Sequence, residues 1–356
     1  MKIQTKFSSL CFVAAVTFLL CISFVSTASA ESEKLTVRVM TRNMDAGTDF
    51  LYFMTEDVEK AVFDTIQEVL LSNIPARAAL LASEIAETQP DLVALQEVTT
   101  WKFTIGEGIE LNQLDLLMAA LEAAGQHYRT AVVQTLAEIE IPYVASFADH
   151  DAILVRTDLP PGHLDVTGTE THMYKEIVLF PFPGDDIPLW RGWIGADVKI
   201  RGARFKFANT HLESFNDPET YSPQLDQAKQ LVAELKNTSL PIILAGDFNS
   251  AALPALYPLD ATPSYDYIAG QGFTDAWSVL HSGENGFTWP LFGEDPPYGY
   301  SAGLIERIDL IFSKGPEAFW IENTGSVSSD GLYASDHVGV VADFKLENQR
   351  PDSKKK

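Results

Sequence analysis

The chain has 356 residues, of which 46% are hydrophobic and 21% are charged, a globular balance that excludes disorder for the bulk of the chain. Its length allows one large domain or two smaller ones. The 49 acidic side chains outnumber the 25 basic ones, and this excess disfavours broad binding to nucleic acid phosphates unless a divalent cation supplies local positive charge.

The first thirty residues have the parts of a secretory signal peptide. Lys2 and Lys6 form a basic start, an apolar run covers residues 10–25, and the small residues of STASA offer a cleavage site before Glu31. The apolar run is short for a membrane anchor. The sequence therefore predicts that residues 1–30 are removed and that the protein is exported, either secreted or periplasmic.

The predicted leader contains both cysteines, Cys11 and Cys21. The predicted mature chain therefore has no disulfide, no zinc–cysteine site and no thiol nucleophile. Removal of the leader takes away two lysines and no acids, so 23 basic residues face 49 acidic ones and the net charge becomes −26.

The predicted elements interleave strands and helices. An alternating strand ends at Asn43, and two helical segments follow it, the second with Asn73 as its cap and Pro75 in its first turn. The order lacks strict alternation, which predicts mixed sheets covered by helices in one domain. The later strands are PDLVALQEV, DAILVR, GWIGADVKI, ARFKFANTHL, PIILAGDF, RIDLIF and HVGVVADFKL, and the later helices are 112–124 and 224–236.

Polar side chains recur where the apolar strands begin or end. Each one alone has an ordinary structural explanation, because Asn, Asp and Gly suit turns and a single histidine in a strand suits a core. Together they are hard to explain as turns. Hard oxygen donors suit Mg²⁺ or Mn²⁺, and two histidines beside carboxylates suit proton transfer. The residues are Asn43, Glu97, His211, Asp247, Asn249, Asp309, Asp336 and His337.

The same pieces of sequence resemble the endonuclease/exonuclease/phosphatase superfamily, the deoxyribonuclease I-like proteins. The matching pieces are TRNM, PDLVALQEV, NTHLE, LAGDFNS, ERIDLIF and SDHVGVV, in the order of the family. The resemblance implies an α/β (α+β) fold, a four-layer sandwich of two mixed β-sheets packed face to face with helices on both outer sides. The opening TRNMDAGTDF is most similar to secreted bacterial members. The implied domain covers residues 31–347 and leaves a disordered tail at 348–356.

The resemblance also implies a metal site that takes Mg²⁺ or Mn²⁺. Asn43 and Glu97 match the asparagine and glutamate of the family's metal site, and Glu97 matches its principal ligand. Asp336 matches a second ligand. The absence of an HExxH motif in the sequence leaves a zinc peptidase poorly supported.

Five further residues match the catalytic positions of the family. His211 matches the histidine that contacts the phosphate or protonates the leaving oxygen. Asp247 and Asn249 match the pair that positions the attacking water and holds a phosphate oxygen. Asp309 matches the carboxylate that orients His337, the general base or phosphate-contacting group. Which histidine is the acid and which is the base stays open.

The expected function is therefore that of an exported metal-dependent phosphoesterase that hydrolyses phosphodiester bonds in a nuclease-like way. Its substrate would be a nucleic acid, a phospholipid head group or a small phosphodiester. The alternatives are a sphingomyelinase-like phospholipase C, an inositol-phosphate phosphatase and, from another class, a non-catalytic binding module on the same fold. No stable protein partner is implied, and a monomer is expected.

The segment between Asn43 and Glu97 is longer than in compact members, and its acidic helical part, 45–71, is expected over the cleft. Asp45 and Asp49 either join the metal site or belong to a solvated loop.

Two aromatic and proline-rich loops, 176–193 and 286–303, suit a lipid interface, base stacking or ordered lids. Arg191 is either a phosphate contact or part of an ion pair. His150 and Asp151 lie near the mouth of a strand, with no assigned role.

Overall fold

The computed structural model describes residues 35–48, 50–54, 57–104, 108–180, 186–214, 222–252, 263–291 and 303–347. The predicted leader 1–30 and tail 348–356 lie outside these ranges, so both stay predictions. The described residues belong to one compact unit that begins at Leu35.

Sixteen strands are described, and most are short segments rich in Val, Ile, Phe and Ala. In chain order they are β1 (Thr36–Asn43), β2 (Leu92–Gln96), β3 (Thr100–Phe103), β4 (Ile109–Asn112), β5 (Tyr128–Ile141), β6 (Ala145–Arg156), β7 (Leu164–Met173), β8 (Val178–Phe180), β9 (Ile187–Leu189), β10 (Gly192–Ile200), β11 (Ala203–His211), β12 (Ile242–Asp247), β13 (Thr274–Asp275), β14 (Asp309–Lys314), β15 (Glu317–Thr324) and β16 (Gly339–Lys345).

Six α-helices are described. They are α1 (Val58–Leu71), α2 (Ile74–Thr88), α3 (Gln113–Ala123), α4 (Ser222–Leu235), α5 (Pro263–Gly270) and α6 (Ala276–Leu280), and a single 3₁₀ turn covers Leu51–Met54. Asn112 caps α3 by accepting a hydrogen bond from the backbone of Asp115. The predicted cap of α2 differs, because Asn73 sits in the left-handed region (φ 54°) and its side chain makes no capping bond.

The strands form two large mixed sheets. The first has eight strands in the order β15-β16-β1-β2-β6-β3-β4, with β5 paired to β6, and the second has six in the order β13-β14-β12-β11-β10-β7. Strands β1 and β2 are parallel, as are β11 and β12, whereas β16 and β14 run antiparallel to their neighbours. The predicted class and the mixed sheets are confirmed. A separate hairpin of β8 and β9 completes the described strands.

Alternation along the central strands builds the layers of the sandwich. Val39 points between the sheets and packs in one cluster with Phe207 and Ile243 of the second sheet. Its neighbour Met40 points the other way and packs with Leu81 of α2. This alternation is the period of two that a strand with both faces covered requires. Helices therefore cover the outer face of each sheet, with α2 and α3 on the first and α4 and α5 on the second.

The long hairpin of β5 and β6 goes beyond the sequence prediction, which found only the DAILVR end of β6. Strand β5 carries the pattern YRTAVVQTLAEIEI, in which buried and exposed positions do not alternate cleanly. Two register shifts in its pairing with β6 explain this, because each bulge moves the next side chain to the other face.

No single described helix is long and apolar enough to span a membrane. Helices α1 and α2, which meet at a 42° bend, pass that test only when they are taken together, by length and composition.

A buried polar bridge ties the two sheets together beneath the predicted site. Asn209 of β11 donates from Nδ2 to the carbonyls of Leu95 (2.8 Å) and Ala152 (3.1 Å), both in the first sheet. Its Oδ1 accepts from Gln96 Nε2 at 2.7 Å. Asn209 and Gln96 are fully buried, so these bonds have no competition from water. Because Gln96 directly precedes Glu97, the bridge also fixes the backbone position from which the Glu97 side chain extends.

The bridge yields a stability prediction. Asn209→Leu removes the side-chain donor to two buried carbonyls and one of the two acceptors of the Gln96 amide, so we expect the free energy of unfolding to fall by about 2–4 kcal/mol. Urea denaturation measures this change. The matched control is Lys199→Ala, an exposed residue of the neighbouring β10, for which the expected change is within about 0.5 kcal/mol. Equal stability of the two variants would contradict the bridge.

Candidate active site

The polar residues of the first sheet meet at one edge of the sandwich. Asn43 ends β1 and lies in register with Gln96, so Glu97 follows at the same edge. Strand β16 is antiparallel to β1, which brings its amino end, with His337 two residues before Gly339, to that edge as well. The chain direction of each strand therefore decides which side chains meet.

The second sheet contributes its polar residues in the same way. His211 and Asp247 end the parallel strands β11 and β12 and lie in register with each other. Asp309 opens the antiparallel β14 directly opposite Asp247. The carboxyl ends of parallel strands and the amino end of an antiparallel neighbour thus share one edge.

Asn43 joins the two sheets at this edge. Its Nδ2 donates to Glu97 Oε1 (3.0 Å) and to Asp247 Oδ2 (3.0 Å). The second carboxylate oxygen of Glu97 accepts from the backbone of Ala46 at 2.8 Å. Glu97 adopts φ 53°, which is uncommon for a residue with a side chain, and such backbone conformations cluster at functional sites. The predicted pair Asn43 and Glu97 is therefore in direct contact.

The GDFN segment is both a turn and part of the site. Asp247 Oδ1 accepts from the backbone of Asn249 at 2.9 Å, and Asn249 has φ 46°. Asn249 Nδ2 donates to the carbonyl of Leu212, which follows His211. At Gly246 an added Cβ would lie 2.0 Å from the carbonyl oxygen of Thr210, so only glycine permits this close approach of β11 and β12.

His337 and Asp309 form a buried pair. Their Nδ1 and Oδ2 atoms are 2.8 Å apart, and His337 Nε2 is 3.8 Å from Asp247 Oδ2. Burial acts to lower the pKa of His337, but the charges of Asp309, Asp336 and Asp247 outweigh it and hold that pKa well above its usual range. The surrounding carboxylates therefore favour the imidazolium form of His337, in which both ring nitrogens are donors.

His211 is in the opposite state. Arg191 Nη1 lies 3.0 Å from His211 Nδ1 and can only donate, so Nδ1 accepts and the proton sits on Nε2. Burial, with the charges of Arg191 and His337, holds the pKa of His211 well below its usual range. Its Nε2–H faces Asp247 Oδ2 at 3.7 Å and Glu97 Oε1 at 3.9 Å.

Asp336 lies on the His337 side of the site. Its Oδ1 is 4.0 Å from His337 Nε2, and its Oδ2 accepts from Trp289 Nε1 at 3.3 Å. Burial and the charge of Asp45 raise its pKa. Of the three residues predicted to bind metal, the structure brings Asn43 and Glu97 into contact and places Asp336 next to His337.

The donor set fits a hard divalent cation. A carboxylate oxygen of Asp247, one of Asp309 and a ring nitrogen of His337 all lie within 4.8 Å of one another. Among the described residues, Asp309 Oδ1 is buried without a hydrogen-bond partner. Burial and the charge of Asp309 raise the pKa of Asp247 to about 7. Such crowded, partly unsatisfied carboxylates are the oxygen ligands that Mg²⁺ and Mn²⁺ prefer. Asp247 and Asp309, predicted as catalytic residues, are thus also within reach of a metal.

Behind His211 lies a buried charged cluster that the sequence interpretation did not assemble. Arg191 Nη1 is 4.0 Å from Asp149 Oδ2, and its Nε is 3.7 Å from Glu213 Oε2. Of the two alternatives for Arg191, the structure supports the ion pair. Asp151 is fully buried, neither of its oxygens has a hydrogen-bond partner among the described residues, and burial raises its pKa well above its usual range. The sign of this cluster in the sequence was the pair of aspartates in DHD, residues 149–151, within an apolar strand.

Several predicted features lie partly outside the described residues. Asp49 and the centres of both aromatic loops belong there. The sequence also contains one G-x-S-x-G string at 299–303, the pattern of a serine nucleophile elbow, and its residues 299–302 lie outside the described residues too.

In the described part of the acidic segment, α1 packs Val69 into a cluster with Trp101 and Phe147 of the first sheet.

The chain is similar to several solved structures. The endonuclease/exonuclease/phosphatase family protein from Bacteroides thetaiotaomicron matches with a TM-score of 0.57 and 18% identity, covering 88% of this chain and 99% of that one. The corresponding family protein from Leptotrichia buccalis gives a TM-score of 0.55, 20% identity, and coverage of 87% and 99%. The TDP2 of D. rerio, solved with a single-strand DNA product, gives a TM-score of 0.52 and 19% identity, covering 87% of this chain and 99% of that one. At these identities the likeness shows the fold.

No curated protein sequence matches the chain significantly. The model of the Endonuclease/Exonuclease/phosphatase family matches residues 70–337, well over half of the chain and a range that includes Glu97, His211, Asp247 and His337. This chain therefore belongs to the endonuclease/exonuclease/phosphatase family.

Proposed function

We propose that the protein is an exported, Mg²⁺- or Mn²⁺-dependent phosphodiesterase that hydrolyses its substrate by attack of water. Family membership supports a hydrolase that acts on phosphoester bonds. The observation that carries the proposal is the hydrogen-bonded set that spans both sheets, with Asn43 bound to Glu97 and Asp247, and with His337 beside Asp309.

The metal is proposed to be held by Glu97, Asn43 and Asp336. The bound ion would supply positive charge that offsets the negative charge developing on the phosphate oxygens. Glu97 is suited to this task because its carboxylate is fixed by Asn43 and the backbone of Ala46, yet the side chain keeps about 27% of its exposure.

Asp247 and His337 are proposed to move the protons. Asp247 has a pKa of about 7 and is positioned by Asn43 and Asn249, so it can orient a water molecule and accept its proton near neutral pH. Asp309 holds His337 and favours its protonated form, so His337 is suited to donate to a phosphate or leaving oxygen. His211, neutral with its proton on Nε2, is suited to hydrogen-bond a phosphate oxygen.

A nucleic acid with a short or single-stranded footprint is the proposed substrate. The D. rerio TDP2 holds a single-strand DNA product. The net charge of −24 opposes a wide phosphate-tracking footprint on duplex DNA. Plasmid DNA, single-stranded DNA, sphingomyelin liposomes and inositol phosphates, assayed side by side, separate this proposal from the lipid and inositol alternatives.

Metal dependence and Glu97 give the first test. We expect the mature protein to hydrolyse single-stranded DNA with Mg²⁺ or Mn²⁺, and to lose this activity in excess EDTA. Glu97→Gln keeps the shape of the side chain but removes its charge, so kcat/KM should fall at least about 100-fold. The matched control is Glu122→Gln, an exposed glutamate of α3, which should leave the rate unchanged. Full activity in EDTA, or in the Glu97 variant, rules the proposal out.

The His337–Asp309 pair gives a test by titration of the metal-free protein. Asp309→Asn removes a negative charge 2.8 Å from the imidazole, so the pKa of His337 should fall. In the wild type this pKa lies above the unfolded value of about 6.5, so its contribution to stability is complete below that pH and is lost as the pH rises through the raised pKa. The variant should lose this pH-dependent contribution.

Proton NMR of the histidine rings measures the pKa, and His337→Asn assigns the resonance. The exposed His127 serves as the internal control, and its ring resonances should be the same in both proteins. An unchanged pKa of His337 in Asp309→Asn would show that Asp309 does not set its charge.

Export is tested by expression of the full chain in a bacterial host. We expect the protein outside the cytoplasm, with Glu31 as the first residue on N-terminal sequencing. Ala30→Arg removes a small residue from the cleavage site and should leave the leader attached. Full-length wild-type protein retained in the cytoplasm would contradict export without bearing on the activity.

A further inference from the structure

The buried pair of His337 and Asp309 joins two different sheets. His337 lies just before β16 of the first sheet, and Asp309 opens β14 of the second. Packed sheets lie about 10 Å apart, so the two side chains span most of that gap to bring Nδ1 and Oδ2 within 2.8 Å. A small shift of either strand end would therefore break the contact.

One short segment, residues 288–291, runs between these two strand ends. Towards β14, the amide of Thr288 donates to the carbonyl of Glu306 at 2.6 Å. Towards β16, the carbonyl of Thr288 accepts from the amide of Val338 at 2.7 Å. The amide of Leu291 donates to the carbonyl of Asp336, also at 2.7 Å. Segment 288–291 therefore holds the residues on both sides of His337 as well as the chain that leads into β14.

The side chain of Thr288 extends this contact to Asp309 itself. Its Oγ1 accepts hydrogen bonds from the backbone amides of Ile308 and Asp309, each at 3.2 Å. Thr288 is fully buried, so water does not compete for these bonds. A single residue thus binds the backbone of Asp309 through its hydroxyl and the backbone next to His337 through its carbonyl.

The other contacts of the His337 backbone have a different effect. Its amide donates to Ser335 Oγ at 3.1 Å, and its carbonyl accepts from Arg42 Nη1. Arg42 lies on β1 and Ser335 directly precedes Asp336, so these two contacts fix His337 relative to its own sheet. Thr288 adds the contact with the opposite sheet, and that contact decides how far His337 lies from Asp309.

We propose that Thr288 is a positioning residue whose hydroxyl and carbonyl set His337 against Asp309 across the two sheets. The inference rests on the proposed function for the task of the pair, and it adds the residue that places the pair. Thr288 is buried and its hydroxyl already accepts from two amides, so it acts through the pair without touching a substrate. A catalytic group misplaced by about 1 Å can slow a reaction about 100-fold.

The kinetic test is Thr288→Val, which keeps the branched shape of the side chain and removes its hydroxyl. We expect kcat on single-stranded DNA with Mn²⁺ to fall about 10- to 100-fold, with KM within about threefold of the wild type, because the pair acts in the transition state. Thr288→Ser keeps the hydroxyl and should hold kcat within about threefold of the wild type. A merely structural threonine would lower kcat only in proportion to the unfolded fraction, which circular dichroism measures.

The geometry of the pair has a second readout that needs neither metal nor substrate. The Nδ1 proton of His337, which faces Asp309 Oδ2, should give a downfield proton NMR resonance in the metal-free protein. His337→Asn lacks this proton and assigns the resonance. We expect Thr288→Val to lose the resonance, because a looser contact lets the proton exchange with water, and we expect Thr288→Ser to keep it.

The matched control is the same substitution at Thr65 of α1. Thr65 is also buried, but its hydroxyl has no hydrogen-bond partner among the described residues. Thr65→Val should therefore leave the resonance, kcat and KM unchanged. An intact resonance in Thr288→Val would overturn the inference, and so would a Thr288→Ser variant as impaired as Thr288→Val. If Thr288→Val does not fold, Thr288→Ala, which places no γ-methyl group against the two amides, takes its place with the same expectations.

The two readouts also separate this inference from the proposed function. Loss of the resonance in Thr288→Val, with a wild type that hydrolyses no phosphodiester, would remove the proposed activity and leave the positioning role standing. Loss of the resonance with an unchanged kcat would also leave that role standing and remove the proposed proton transfer by His337. An intact resonance in Thr288→Val, beside a metal-dependent active wild type, would remove the inference and leave the proposed activity standing.

Discussion

The site depends on a single amide group that holds two carboxylates from different sheets. Asn43 Nδ2 lies 3.0 Å from both Glu97 Oε1 and Asp247 Oδ2. Two like charges drawn to one nitrogen repel each other, and the repulsion grows as water is excluded. The arrangement persists because the strand ends that carry these residues are fixed by their sheets and by the Asn209 bridge beneath them. The fold thus holds negative charges closer together than they would settle if free.

Buried arginines support the backbone around this concentration of acid. Arg42 is fully buried, pairs with Glu84 at 3.0 Å and donates to the backbone carbonyl of His337. Arg77 and Glu84 both lie on α2. Arg77 donates to the carbonyls of Met44 and Asp45 in the loop after Asn43. Glu84 pairs with Arg42, which in turn holds the carbonyl of His337 just before β16. Removing one member of such a pair leaves an uncompensated buried charge, which is costly. Helix α2 is therefore part of the site's support, although it contributes no group that would touch a substrate.

The position of the polar residues at the sheet edge could be predicted from the sequence, because it follows from strand direction. Apolar runs such as LVALQ and IILAG are buried along their whole length, and a polar residue directly after such a run must lie at the sheet edge. The charged contacts behind the edge follow no such rule. Arg77 sits in a helix whose spacing also suits a surface arginine, and Arg191 meets Asp149 only through tertiary packing of β6 beside the second sheet. The bulges of β5 hid its strand for a related reason, since they break the period of two.

The two histidines show how the fold gives one residue type two chemical states. His337 has a carboxylate behind it, which stabilises the imidazolium, and His211 has a guanidinium behind it, which stabilises the neutral ring. Both present Nε2 to the same oxygen, Oδ2 of Asp247, at 3.8 and 3.7 Å. That oxygen therefore faces one charged donor and one neutral donor across a short gap. Pairs of titratable groups whose surroundings push their pKa values apart are the arrangement that acid–base chemistry at neutral pH requires. The assignment of donor and acceptor roles thus follows from the partners behind each ring, which the histidines' own positions in the sequence do not reveal.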